Sequence, residues 1–95
     1  MKLKLDSFYL NVLINGLYSQ RMRYDDETNE VIDLLLLRLV DECDKLKPNQ
    51  KVKLCFEPVE LSAIRKSLLD WHNQQVQAEK EVATEVICEL LEKLL

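Results

Sequence analysis

Two stretches of this chain, KLKLD at residues 2–6 and KVKLCFE at 51–57, alternate charged and apolar residues with a period of two. That alternation marks a strand with one wet face and one buried face. Between and after them the apolar residues recur three and four positions apart, the period of amphipathic helices. Each strand runs straight into a helix start. Asp6 and Ser7 are N-cap residue types, and Pro58 after Glu57 suits a first helical turn, where its missing N–H costs nothing. Within the chain the two strands have only each other to pair with; a two-stranded ribbon is marginal alone, and its outer edges could pair across a dimer into a four-stranded sheet or accept a partner's strand. The chain is therefore held to one ribbon stabilised by packing against helices.

The first helix is expected over residues 8–24, where YDDETN interrupts it and supplies cap residues and acids for a second helix over 27–46. Pro48 ends that second helix, because proline cannot continue it. One glycine and two prolines in 95 residues, against usual frequencies of roughly 7% and 5%, leave little material for long loops. The expected fold class is α+β and helix-dominated, in the order β-α-α-β-α-α, with a two-stranded antiparallel ribbon packed on four helices. At 95 residues the chain is one domain, residues 1–95, near the size at which a single core becomes self-sufficient.

The two halves, about 1–47 and 50–95, can be laid on one another. Lys2, Lys4 and Leu5 fall on Lys51, Lys53 and Leu54 at an offset of 49; beyond Cys55 and Phe56 the offset becomes 51. Leu10 then meets Leu61, Leu13 meets Ile64, Leu17 meets Leu68, Val31 meets Val82, and Leu39 meets Leu90. This is the pattern of an internal β-α-α repeat related by a pseudo-two-fold axis. Gly16, which costs a helix interior about 1 kcal/mol relative to Ala, falls on Ser67. Two small residues at matching positions predict that the first and third helices cross closely there. One place breaks the match. QQVQAEK, where the first half has YDDETN, contains no helix breaker, so a single long helix over 59–94 is the alternative to a hairpin. Such a helix would overhang a small domain and favour a dimer.

Several function classes are disfavoured. A net charge of −4 with both signs interspersed makes no global electrostatic case for nucleic acid or membrane. No apolar run approaches the roughly 20 residues of a membrane span. Asp6, Asn11 and Asn15 interrupt the N-terminal apolar run, unlike a signal peptide. Cys43, Cys55 and Cys88 are odd in number, far apart and without C-x-x-C spacing, which argues against a disulfide framework or a zinc site. They are expected to be small buried hydrophobes in a cytoplasmic protein.

Three surfaces remain as candidates. With the strands paired, Lys2, Lys4, Lys51 and Lys53 project from one side of the ribbon as an anion-binding patch, which Arg21 and Arg23 would extend. The plain alternative is that lysines protect the edges and wet face of a short sheet. On the second helix, Leu34 and Leu37 fall outside the core stripe among Asp33, Asp41 and Asp44, whereas Glu85 and Cys88 occupy the matching positions of the second half. Leucines on an acidic face are candidate protein-binding residues. The third surface is the acidic run Asp25, Asp26, Glu27, Glu30 and Asp33, in which i, i+3 spacing would allow magnesium binding.

His72, beside Trp71, is the only histidine, and no Gly-rich loop or nucleophile–base set accompanies it. No catalytic residue, cofactor or metal is therefore assigned. The reading that follows is a non-catalytic intracellular protein–protein interaction module, with a protein partner or a homodimer and no membrane. A nucleic-acid-associating protein using the lysine ribbon is the less favoured alternative, and a small magnesium-dependent hydrolase the third.

Overall fold

A computed structural model describes residues 2–47 and 49–94. β1 (Lys2–Asp6) leads directly into α1 (Ser7–Ser19), which is followed by α2 (Asp26–Lys45), β2 (Lys51–Cys55), α3 (Pro58–Gln77) and α4 (Glu81–Lys93). The strands pair antiparallel, Leu3 opposite Leu54 and Lys4 opposite Lys53. The expected α+β architecture of one ribbon and four helices is the one observed.

Capping explains where most helices begin. Asp6 takes the N-cap of α1, its carboxylate accepting from the Tyr9 N–H at 2.9 Å. Asp25 does the same for α2, accepting from the Thr28 N–H at 3.0 Å. At α3, Pro58 occupies the first turn, and the Glu60 side chain reaches back to accept from the Glu57 N–H at 2.9 Å. These bonds satisfy amides that the first helical turn leaves without partners.

One helix boundary differs clearly from expectation. α1 stops at Ser19 rather than continuing to Tyr24, because Met22 adopts a left-handed backbone (φ 65) that no α-helix accommodates. Tyr24 belongs instead to the turn before α2, where its backbone N–H donates to Asn29 Oδ1 and its carbonyl accepts from Asn29 Nδ2. At the end of α3 the structure follows the expected four-helix hairpin and not the alternative of one long helix. α3 ends at Gln77, and Glu79 takes φ 58. The N–H groups of Glu79 and Lys80 bond back to the carbonyls of Val76 and Gln75 at 3.1 and 3.0 Å, the two bonds of a Schellman motif. α4 then folds back against α3. Pro48 lies outside the described residues; α2 ends at Lys45, and Leu46 is already extended.

The core lies between the inner ribbon face and the helices. Leu3, Leu5 and Leu54 point into it from the strands, and Leu10, Leu13 and Leu17 from α1. α3 answers with Leu61, Ile64 and Leu68, the residues aligned with that α1 stripe. Gly16 sits where α1 and α3 cross. A β-carbon there would come within 2.8 Å of Leu68 Cδ2 and 2.9 Å of Trp71 Cε3, the close approach that two small residues predict. Beyond this point the halves diverge, since α1 and α3 have 13 and 20 residues. Val82, the counterpart of the partly buried Val31, is 76% exposed.

The cysteines correct an expectation. Cys55 and Cys88 are exposed and Cys43 is half-buried. Cys55 lies on the wet ribbon face across from Lys2, and its alternation with buried Leu54 places it there. No described helix is long and apolar enough to cross a membrane.

Candidate functional site

The shoulders of α1 and α2 leave an apolar groove. Successive helical residues are turned by about 100°, so the core stripe of α2, Ile32, Leu35 and Leu39, carries Leu36 and Val40 on one shoulder and Leu37 further out. α1 carries Ile14 and Tyr18 beside its own buried Leu13 and Leu17. Together these shoulders line an open groove of about 520 Å³. Its end is marked by an ion pair, Arg21 Nε to Asp33 Oδ1, at 2.7 Å. Tyr18 is 65% exposed and Leu37 72%, although α3 packs against both α1 and α2 on their other side.

Leu37, singled out from its place outside the core stripe, is therefore a wall of this groove. Leu34 is 61% exposed and lies farther round α2, outside the groove lining. Ile14, Tyr18 and Val40 were missed. The available signal was Ile14 and Tyr18, one turn apart beside the α1 core stripe, but only the pairing of α1 with α2 brings them opposite Leu37.

The ribbon gathers the four lysines. Lys4 stands directly opposite Lys53, with Lys2 and Lys51 at the two ends of the same outer face, and all four are exposed. Like charges directly across a strand pair are destabilising. Arg21 and Arg23 do not extend this patch. They follow the far end of α1, about 20 Å along the helix from the ribbon at 1.5 Å per residue, and Arg21 is engaged by Asp33.

Two members of the acidic run, Asp25 and Asp33, have structural tasks. Hydrogen bonding to Thr28 at the helix start holds the Asp25 carboxyl below its ordinary range. Asp33 pairs with Arg21. Among the described residues no three His, Cys, Asp or Glu side chains converge to hold a metal ion. His72 is half-buried, with Nδ1 3.5 Å from Asn73 Oδ1.

The remaining buried polar groups join the far ends of α1 and α3. Gln20 Nε2 donates to Gln74 Oε1 at 3.1 Å, and the Tyr24 hydroxyl donates to Asp70 Oδ2 at 2.6 Å. Burial, and then the bond to Asp70, push the Tyr24 phenol above its ordinary 10.0. Ser67 lies near enough to influence that phenol, yet its own fully buried hydroxyl has no hydrogen bond of acceptable geometry. These groups have the arrangement of a packing junction. In comparisons with protein-family models, curated proteins and solved structures, nothing matches this chain.

Proposed function

We propose that this chain is a non-catalytic protein-interaction module whose docking surface is the groove between α1 and α2. The observation that carries this reading is Leu37, 72% exposed on a helix whose core face is fully occupied. A large exposed leucine beside Tyr18 and Val40 gains nothing from folding and is suited to burial by a partner. The two halves are taken as copies of one β-α-α unit in which only the first carries this surface. Glu85 and Cys88, both exposed, stand on α4 where α2 has Leu34 and Leu37. Three unbridged thiols suit a reducing compartment, so the module acts in the cytoplasm.

Leu37→Glu tests the reading. Affinity capture from nuclease-treated extract, with retained proteins identified by mass spectrometry, is expected to yield a stoichiometric partner with the original chain and to lose it with the variant. Because Leu37 is exposed, stability should change by no more than about 0.5 kcal/mol. Retention of the same partner by the variant, or of none by either chain, would overturn the proposal.

A second reading rests on Lys4 facing Lys53. Four lysines on one ribbon face suit a phosphate polymer, whose binding constant falls with salt by a log–log slope of about −0.7 to −0.9 per phosphate contacted. Salt-dependent nucleic-acid binding that Lys4→Gln with Lys53→Gln abolishes, and Leu37→Glu leaves intact, would favour this reading over the groove.

A further inference from the structure

The α1 wall of the groove is uncharged, whereas an acidic stripe, of which Asp33 alone lines the groove, runs along its α2 edge. On α2, Glu30 and Asp33 precede Leu37 by seven and four residues, and Asp41 and Asp44 follow it by four and seven. At about 100° per residue these spacings put all four carboxylates on the flank of the helix that bears Leu37. α2 as a whole carries seven acids against two bases, a net −5 that exceeds the −4 of the whole chain. Asp33 is paired with Arg21 at 2.7 Å and Asp41 with Lys45 at 3.0 Å. Glu30 and Asp44 make no ion pair among the described residues. On the α1 side the walls are Ile14 and Tyr18, and charge enters only at the end, with Arg21.

We infer that the groove's occupant is a cationic amphipathic helix of another protein, an identification that rests on the docking reading above. An apolar stripe at i, i+3/i+4 and i+7 fits the floor of such a groove. The partner's Lys or Arg residues flank that stripe on one side, facing Glu30, Asp41 and Asp44, while its opposite flank meets the uncharged α1 wall. From Glu30 to Asp44 the acidic flank is about 21 Å long at 1.5 Å per residue, the length of a four-turn helix. A second copy of this chain is a poorer occupant. A two-fold contact through this face would set the acidic flank against either itself or the uncharged α1 wall, and in neither case against the cationic flank that Glu30 and Asp44 favour.

The test uses the full chain and synthetic peptides of about four helical turns. One peptide carries a leucine stripe with lysines along one flank, a second replaces those lysines with glutamates, and a third has the first peptide's composition in scrambled order. Binding is followed by fluorescence anisotropy and mapped by NMR shift perturbation. The striped lysine peptide is expected to bind at least tenfold tighter than either control and to perturb Tyr18, Leu37 and Val40. Glu30→Gln with Asp44→Asn is expected to weaken it about tenfold, and Leu37→Gln to abolish it.

Equal binding of the lysine and glutamate peptides, lost with Leu37→Gln, would overturn the cationic partner and leave groove docking standing. Equal binding of the scrambled peptide would reduce the effect to diffuse charge attraction and overturn the inference. If no peptide binds, and sedimentation shows a dimer that Leu37→Gln disperses, the occupant is a second copy and the inference fails while the groove reading survives. If no peptide binds and extract capture is indifferent to Leu37→Glu, both fail together.

Discussion

At Gly16 the ordinary preference for alanine in a helix reverses. On an exposed helical face Gly→Ala stabilises by about 1 kcal/mol, but here the added methyl would meet Leu68 Cδ2 at 2.8 Å and Trp71 Cε3 at 2.9 Å. Overpacking a filled site costs about 1–3 kcal/mol, so Gly16→Ala is expected to destabilise by about 1 kcal/mol net. Urea denaturation checks the sign, and a more stable variant would mean that the α1–α3 crossing is looser than described. Tyr24 gives a pH-dependent counterpart. Its folded phenol titrates above the ordinary 10.0, so its stabilising contribution is complete below about pH 10 and declines as pH rises past that value toward the folded one. Tyr24→Phe, which leaves Asp70 without this donor, should be less stable at pH 7 by about 1 kcal/mol. The gap should narrow above pH 10. Thermal melts of both chains from pH 7 to 11 measure it; a constant gap would exclude the Tyr24–Asp70 bond as its source.

The helices show how far local chemistry carries. The N-caps at Asp6 and Asp25 were legible because each accepts from an amide three residues on, and the first-turn Pro58 because its missing N–H costs nothing there. The break after α3 was legible only through the match of the two halves, which sets QQVQAEK on YDDETN. Its C′ residue is Glu79 at φ 58, a left-handed position that favours glycine, so QQVQAEK contains none of the usual stop signals. The helix turns there because α4 gains more by folding back onto α3 than the strained residue loses. Glu79→Gly removes a left-handed cost of about 1–2 kcal/mol, partly offset by glycine's greater freedom in the unfolded chain, and is expected to stabilise on balance, read from chemical denaturation. A destabilised variant would show that the Glu79 side chain, rather than the turn, holds the hairpin.

Across the whole molecule, α4 joins one core. Ile87 and Leu90 are fully buried, and the Arg65 guanidinium donates to the Leu94 carbonyl at 2.6 Å. Leu90→Ala should therefore cost about 2–5 kcal/mol and still give a single cooperative transition by calorimetry. Early, separate melting of α4 would instead make it an appendage. The ribbon, the helix periods and the α1 and α3 core stripes were readable from the chain alone, since period and capping act over a few residues. So was the exceptional place of Leu34 and Leu37, because a leucine off the apolar stripe conflicts with its own neighbours. The sequence left open which shoulder of α2 would be covered. α3 packs on one side of the α1–α2 pair and no described element covers the other, so Ile14 and Tyr18 became a wall opposite Leu37 and the groove came into being. Such a surface is made of residues from two different helices, and their adjacency depends on how helices cross, a choice settled by packing the whole core at once.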